Sequence, residues 1–466
     1  MPIATTFQRI LDRKQWEMVS PAPSASTTGS FIVSSTVWDQ FQFFSNSLTG
    51  YFLYNPAEDA WQQIPSSGLG GTFGAGSCGA YHPSGPTGTA TSATSTTLTT
   101  NLTIPGSLTN YQIRITGGTG AGQVRTISGN TYGTNSVLTV STTWTVTPDA
   151  TSTYLLLTGR FWVFCGNNAS AQGFRYYDVA TNTWSTALST TNIPLSYATD
   201  ARLVATPGGT SFATGTATSA TSTTLVKTGA SWTASQWVNY QVRITGGTGV
   251  GQIRSITASD ATSVTVATWT TTPDATSTFV IEGNDDYLYL NGGGQTAMYR
   301  YSISGNTWTA LATRTTAGGT GMSLNWVAKE NNPLWTAEAA IINGRRIYSF
   351  RGGAGASLDY YDIPSNTWTN ALTYQRATET FTTGSSFTLG TDGLIYIHKD
   401  GTSRFFKFDV ATQVLDAWSV LPYPQSTALV GGDRMFTIDF TSGSDSLRWV
   451  YHLRNNSTEM FRCLVF

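Results

Sequence analysis

The chain has 466 residues, enough for two to four ordinary domains or for one large repeat architecture with inserts. Only 11% of the residues are charged and the formal net charge is −1, so we expect no nucleic-acid partner and no anionic-membrane surface. No apolar run is long enough for a membrane span or a secretory signal, and the three cysteines lack zinc or redox spacing.

The first 15 residues are predicted to form an N-terminal arm. Phe7, Ile10 and Leu11 have helical spacing, so the arm is either a short helix that docks on a neighbouring subunit or a solvated leader. The following segment, "QWEMVSPAPSASTTG", is similar to "AWSVLPYPQSTALVGG" around Trp418. This similarity predicts an outermost strand beginning at Trp16, which could close a ring by joining the two ends of the sequence.

Four segments along the chain place a tyrosine seven residues before a tryptophan, with turn-forming residues between them. The segments are "FLYNPAEDAW", "RYYDVATNTW", "YRYSISGNTW" and "DYYDIPSNTW". Each is predicted to be a β-hairpin with an aromatic residue on either arm. The pairs are Tyr54 and Trp61, Tyr177 and Trp184, Tyr301 and Trp308, and Tyr361 and Trp368.

Two degenerate copies follow, in which Phe408 precedes Trp418 and Tyr451 precedes Phe461 by ten residues. A short apolar strand lies upstream of most hairpins, and another strand precedes it. Four strands per unit are typical of a β-propeller blade. We therefore predict an all-β, six-bladed propeller whose first blade begins near Ser30; the C-terminal "FRCLVF" leaves a seventh, incomplete blade open.

The repeat resembles the kelch family of β-propellers. In that family a glycine pair ends the second strand of a blade, as Gly292–Gly293 and Gly352–Gly353 would here, whereas Gly166 stands alone. The resemblance implies that the aromatic residues of the hairpins pack between neighbouring blades. Those residues are Tyr54, Trp61, Tyr177, Trp184, Tyr301, Trp308, Tyr361, Trp368, Phe408 and Trp418.

Two inserted modules interrupt the repeat. The phrase "TGTATSATSTTL" begins at Thr87 and again at Thr214, and each copy continues through "RITGGTG" to "TPDATST". Alternating strands and glycine turns predict two homologous small antiparallel β-domains inserted in adjacent blades. The predicted organisation is arm 1–15, propeller 16–85, module 86–158, propeller 159–211, module 212–283 and propeller 284–466.

The Thr/Gly-rich modules resemble segments of structural proteins of tailed-bacteriophage virions. The resemblance implies a structural component of the particle, located in the virion and assembled in the host cytoplasm, in a tail nozzle or tip or in a neck. Other virion proteins, further copies of the chain and host-surface glycan are the implied partners. A receptor- or glycan-binding protein used in host attachment and a capsid decoration protein are the alternatives.

We find no motif for catalysis, a cofactor or a metal ion, because the three histidines lie in distant segments and no phosphate-loop signature is complete. The chain is therefore predicted not to be an enzyme. Trp232 and Trp237 of the second module are candidates for sugar stacking, with a core role as the alternative. The segment 331–335, in a long connection, is a candidate contact surface.

Overall fold

The computed structural model describes most of the chain from residue 16 onward. The predicted arm at 1–15 and the candidate contact segment 331–335 lie outside the described residues. The described ranges are 16–27, 29–34, 41–44, 51–56, 58–67, 69, 73–166, 173–194, 200–206, 211–238, 240–284, 286–327, 346–353, 357–363, 365–372, 379–382, 385–390, 393–399, 401–410, 412–420, 434–442, 445–454 and 456–465.

Within these ranges, six antiparallel sheets contain four strands each, and we number them I to VI in chain order. Sheet I contains β2 (Phe31–Ser34), β3 (Phe41–Phe44), β4 (Tyr51–Asn55) and β5 (Ala60–Ile64). Sheet II contains β6 (Cys78–His82), β14 (Arg160–Phe164), β15 (Phe174–Asp178) and β16 (Thr183–Trp184). Sheet III contains β17 (Arg202–Ala205), β25 (Tyr287–Asn291), β26 (Ala297–Ser302) and β27 (Thr307–Thr313).

The last three sheets follow in the C-terminal part of the chain. Sheet IV contains β28 (Asn325–Val327), β29 (Arg346–Phe350), β30 (Leu358–Asp362) and β31 (Thr367–Leu372). Sheet V contains β32 (Ser386–Leu389), β33 (Leu394–His398), β34 (Arg404–Asp409) and β35 (Val414–Val420). Sheet VI contains β36 (Met435–Ser442), β37 (Asp445–Leu453), β38 (Met460–Val465) and the N-terminal β1 (Glu17–Val19). Sheets I to V are thus each built from strands in chain order, and sheet VI combines both ends of the sequence.

The first strands of the sheets contact one another in a closed circle. Strand β2 contacts β6, β6 contacts β17, and the series continues through β28, β32 and β36 back to β2. A cluster of buried apolar side chains fills the space between each pair of consecutive sheets. Radial sheets around a common centre, with the core divided among their interfaces, confirm the prediction of an all-β propeller. Among the described residues, no helix has the length and apolar character needed to cross a membrane.

The aromatic hairpins join the third and fourth strands of sheets I to IV. In sheet III, Tyr301 lies directly opposite Trp308, and its hydroxyl donates a 2.8 Å hydrogen bond to Oδ1 of Asn306 in the turn. Asn306 has a φ of +47°, in the left-handed region that asparagine and aspartate tolerate better than most side chains. Tyr361 makes the same bond to Asn366, Tyr177 bonds to Asn182, and Tyr54 bonds to Asp59 at 2.5 Å. The residue five positions after the tyrosine therefore shapes the turn and fixes the ring.

The N-terminal strand closes the circle in the manner that the sequence predicts. Met18 of β1 lies opposite Phe461 of β38, and Nε1 of Trp16 donates a 3.1 Å hydrogen bond to Oγ of Ser419 in sheet V. The C-terminal strand β38 is the third strand of sheet VI, and the described residues contain no seventh four-stranded sheet. The segment from Tyr451 to Phe461 joins the second and third strands of sheet VI, so reading it as another copy of the aromatic hairpin is wrong.

Two further sheets of seven strands are inserted between the first and second strands of sheets II and III, and we call them barrel 1 and barrel 2. Barrel 1 contains β7 (Thr87–Thr89), β8 (Ser92–Ala93), β9 (Thr97–Thr99), β10 (Gln112–Gly117), β11 (Val124–Asn130), β12 (Val137–Val140) and β13 (Thr153–Leu157). Barrel 2 contains β18 (Ser211–Thr216), β19 (Ser219–Ala220), β20 (Thr224–Val226), β21 (Gln241–Gly246), β22 (Ile253–Ser259), β23 (Ser263–Val266) and β24 (Thr278–Glu282).

Each inserted sheet closes on itself. In barrel 1 the strand order is β7-β13-β10-β11-β12-β9-β8. Its two end strands, β7 and β8, belong to one chain segment and are separated by only two residues, Ala90 and Thr91. The backbone amide of Ala90 at this bend still donates to the carbonyl of Ser152, and that of Thr91 donates to the carbonyl of Thr99. Barrel 2 has the same order, and each barrel encloses its own apolar core. Closure removes the exposed strand edges that an open sheet would present.

Candidate functional site

The phrases that recur in both modules contact each other within each barrel. In barrel 1 the hydroxyl of Thr119, from "GGTG", donates a 2.7 Å hydrogen bond to Oδ2 of Asp149, from "TPDA". The hydroxyl of Thr151 donates to Oδ1 of the same carboxylate at 2.6 Å. The hydroxyls of Thr151 and Thr119 together hold the pKa of the Asp149 carboxyl below its usual value. The same hydrogen bonds surround Asp274 in barrel 2. The repeated phrases therefore have a structural role, because these bonds connect the "GGTG" turn to the "TPDA" turn in each barrel.

The two barrels contact each other through equivalent glycine loops, 117–123 and 246–252. A Cβ atom on Gly251 would lie 2.3 Å from the Cβ atom of Ala121, which is closer than real side chains approach. A Cβ atom on its counterpart Gly122 would meet Gly251 and Val250 at 3.4 Å. Both glycines have a φ of +87°. The loops thus serve as hairpin turns and also bring the two barrels into backbone contact.

One buried carboxylate joins the barrels electrostatically. Glu282 of β24 accepts two hydrogen bonds from Arg243 of β21, at 3.1 and 3.2 Å, and one from Gln241 at 3.2 Å. Arg114 of barrel 1 lies 3.5 Å from the same carboxylate, and the Arg114 and Glu282 side chains are 3% and 1% exposed. The position equivalent to Glu282 in barrel 1 is Leu157, which pairs with Gln112 as Glu282 pairs with Gln241. The carboxylate that pairs with Arg114 of barrel 1 therefore belongs to barrel 2.

A cleft of about 320 Å³ lies where the two barrels meet sheet III. Strands β10 and β13 of barrel 1 contribute Arg114, Thr116 and Leu155 to its wall, and Ser84 precedes that barrel. Strands β21 and β22 of barrel 2 contribute Gln241, Ile253 and Ser255. Asn284, Asp286 and Ser304 come from the end of barrel 2 and from sheet III. The cleft depends on the docking of all three units.

The polar groups on the sheet III side are held in fixed orientations. Nδ2 of Asn284 donates a 3.1 Å hydrogen bond to Oγ of Ser255, and Oδ1 of Asn284 accepts one from the Asp286 amide at 3.1 Å. The Asp286 carboxylate accepts bonds from the Ser302 hydroxyl and from the amide and hydroxyl of Ser304, at 2.6–2.8 Å. Such a wall can present hydrogen-bond donors and acceptors without first reorganising. In the described part of the chain, His, Cys, Asp and Glu residues do not gather in groups of three that could hold a metal ion.

The predicted packing residues of sheets I to IV lie against the preceding sheet of the circle. The ring of Trp308 is 5.0 Å from Phe174 of sheet II, and Tyr361 is 6.3 Å from Tyr289 of sheet III. Each indole N–H donates to a backbone carbonyl of the preceding sheet or of the segment that follows it. The bonds are Trp61 to Ser20 at 3.2 Å, Trp184 to Pro65 at 2.7 Å, Trp308 to Ser189 at 2.9 Å and Trp368 to Ala312 at 3.0 Å.

Phe408 and Trp418 do not form a pair of the same kind. Phe408 lies opposite Leu415, and both face sheet IV, where the ring of Phe408 is 5.2 Å from that of Phe350. Trp418 instead packs with Trp16, at 5.9 Å, in the cluster between sheets V and VI. The two side chains therefore contribute to different interfaces.

The two candidate sugar-stacking residues belong to the core of barrel 2. Trp237 is 5% exposed and packs edge-on against Tyr240 at 5.4 Å. Trp232 is half-buried and meets Trp237 at 6.0 Å. A buried ring has no free face for a sugar, so of the two only Trp232 retains exposed surface.

The cleft residues Arg114, Gln241, Asn284, Asp286 and Ser304 were not selected from the sequence. The sequence did contain an indication of this contact between the barrels. The two modules share the arginine of "RIT" but differ at the end of their last strand. Leu157 stands there in the first copy and Glu282 in the second. A carboxylate present in one copy only indicates a partner outside the repeated fold.

No family model matches the chain, and no curated protein matches it. Among solved structures, selenomethionine-substituted virginiamycin B lyase from Staphylococcus aureus is similar over 97% of this chain and 99% of its own, at 9% identity and a TM-score of 0.38. The structure of YjhT is similar over 39% of this chain and 62% of its own, at 14% identity and a TM-score of 0.25.

These comparisons correct one prediction from the sequence. The chain was predicted not to be an enzyme, yet virginiamycin B lyase, a solved structure similar to it over 97% of its length, is by its name a lyase. The prediction therefore does not stand. At this level of identity the similarity assigns no reaction and no substrate to the chain.

Proposed function

We propose that the chain is a structural component of a tailed-phage particle, in a tail nozzle or tip or in a neck, and acts through assembly contacts. In this proposal the six four-stranded sheets are six blades of a kelch-like propeller. Gly352 and Gly353 support the kelch likeness, because they follow the second strand of sheet IV with φ values of +71°. The Thr/Gly-rich phrases of the modules support the phage assignment.

The observation that carries the proposal is the rigid docking of two closed barrels on adjacent sheets. Both barrels are inserted between the first and second strands of their sheets, so they project from the same rim of the propeller. The glycine loops and the shared Glu282 carboxylate hold them to each other. A body of fixed shape with a composite surface suits repeated contacts in an assembly, where copies of the chain would be arranged around a symmetry axis.

Labelling of particles tests this proposal. Antibodies against barrel 1 should decorate one end or collar of purified phage particles in electron micrographs, and light scattering should show the purified chain as a closed oligomer. Particles that lack the chain, together with a monomer at every concentration tested, would contradict the proposal.

A receptor- or glycan-binding role in host attachment is the second candidate, and the polar cleft between the barrels favours it. Capsid decoration is a further location consistent with the same assembly contacts. Binding of labelled chain to host cells that is competed by soluble surface polysaccharide would favour the attachment role over a purely structural one.

A further inference from the structure

The cleft between the barrels and sheet III has the size and position of a ligand site. Its volume of about 320 Å³ lies at the low end of the range of roughly 300–1,000 Å³ found for small-molecule pockets, which often lie at domain interfaces. That volume accommodates one sugar ring or a molecule of similar size. Three separate units form its wall, so a ligand would contact all of them at once.

The polar groups of the wall are prearranged. Asn284 is buried and bridges Ser255 and the Asp286 amide, while Ser304 is fixed on the Asp286 carboxylate. Each hydroxyl and carboxylate oxygen engaged in this way still has lone pairs that can accept a further hydrogen bond. On the opposite side the Thr116 hydroxyl is held 3.0 Å from that of Thr153. A ligand with adjacent hydroxyl groups could therefore both donate to this wall and accept from it.

The charges around the cleft balance. Arg114 and Arg243 are opposed by Glu282 and Asp286, so neither an anion nor a cation is attracted by net charge. Among the described residues that line the cleft, none is aromatic, and the apolar part of the wall comes from Leu155 and Ile253. Hydrogen bonding rather than ring stacking or ion pairing must then provide the recognition.

We propose that this cleft binds a neutral saccharide through its vicinal hydroxyl groups, with Asn284, Asp286, Ser304 and Thr116 as the principal polar contacts. The site is distinct from Trp232 and Trp237. For a single sugar ring without a stacking platform, the dissociation constant is expected to be on the order of 1 mM. The proposal gives a site to the glycan-binding role named above as the second candidate, and it does not rest on the assembly role.

The test is a saturation-transfer NMR titration of the full chain with methyl glucoside, methyl galactoside and methyl mannoside, each up to tenfold above the expected dissociation constant. At least one should bind, whereas 1,4-butanediol, which lacks vicinal hydroxyls, should not. Glucuronate should bind no more tightly than the neutral sugars. Failure of all three glycosides to bind would overturn the proposal, as would tighter binding of glucuronate.

The pseudo-repeat supplies matched control variants. Thr116→Val should weaken binding severalfold, while Thr245→Val, at the equivalent position in barrel 2 and outside the cleft, should not change it. Ser255→Leu should fill the cleft and weaken binding at least tenfold, whereas Thr126→Leu at the equivalent place in barrel 1 should not. Circular dichroism and thermal unfolding check that each variant is folded. Equal effects within a pair, or binding that survives Ser255→Leu, would place the sugar elsewhere and refute the assignment.

Discussion

Replacing Glu282 by glutamine tests the electrostatic link between the barrels. The change keeps the size of the side chain but removes the charge that faces Arg243 and Arg114, whose side chains are 12% and 3% exposed. Breaking a buried ion pair by removing one partner costs about 3–5 kcal/mol, because the other charge stays buried without compensation. Arg243 makes two hydrogen bonds at 3.1 and 3.2 Å, whereas Arg114 lies at 3.5 Å, so most of the loss should fall on barrel 2.

Hydrogen exchange under native conditions is the suitable assay, because it reports each barrel separately in a chain of several cooperative units. In Glu282→Gln, protection should fall most in β21 and β24, less in β10, and least in sheets IV and V. Leu157→Gln at the equivalent position of barrel 1 is the matched control and should cost less than ~1 kcal/mol. A loss of stability below ~1 kcal/mol in Glu282→Gln, or an equal loss of stability in both variants, would contradict the reasoning. It would show that the Glu282 charge does not stabilise the positions of Arg243 and Arg114.

Three further predictions concern the propeller and the barrel contact. Burial lowers the pKa of His398 to about 4 and that of neighbouring His452 well below its usual 6.5, so the unfolded chain takes up protons first on acidification. Wild type should therefore lose on the order of 3 kcal/mol of stability through His398 alone as the pH falls from 6.5 to about 4. A His398→Phe/His452→Phe variant has no imidazole to protonate at these positions, so its denaturation curves should lack this loss over the same range. Gly251→Val should raise hydrogen exchange in both glycine loops, whereas Gly229→Val, also at positive φ but with open space around it, should affect only its own turn. Tyr301→Phe keeps the ring but removes the 2.8 Å hydrogen bond from the Tyr301 hydroxyl to the turn. The free energy of unfolding in urea titrations should fall by about 1 kcal/mol. An unchanged free energy would mean that this hydrogen bond does not stabilise the hairpin.

The aromatic hairpins were predictable because their geometry is local. A tyrosine, a turn residue at positive φ five positions later and a tryptophan two positions beyond that are all visible in the sequence. Sheet V keeps the same spacing, since Gln413 has a φ of +56° five residues after Phe408, and Leu415 stands where tryptophan would be. The prediction instead paired Phe408 with Trp418, because tryptophan is the residue that the first four hairpins share. The seven-residue spacing, rather than the residue type, would therefore have identified Leu415 as the partner of Phe408.

Barrel closure and the cleft could not be predicted in the same way. The bend that turns β7 into β8 lies at Ala90 and Thr91, which carry no glycine or proline signal. The cleft depends on how two barrels and sheet III sit together, and no periodicity within one segment encodes that arrangement. Only a comparison of the two copies, position by position, indicates where the docking contacts lie.

The two barrels show which residues serve the fold and which serve the docking. Side chains shared by both copies make the same internal bonds: Gln123 donates to the Val146 carbonyl at 2.7 Å, and Gln252 donates to that of Thr271 at 2.7 Å. Positions that differ include the glycine-loop tip and the end of the last strand, where Glu282 replaces leucine. Two copies of one fold could be stable with the same sequence. We therefore attribute the residue differences at the barrel–barrel contact to docking of the two barrels. A Leu157→Glu/Glu282→Leu double variant should therefore keep both barrel cores intact but loosen the contact between the barrels. Hydrogen exchange in both glycine loops should then rise. Unchanged protection of these loops from hydrogen exchange would contradict this argument.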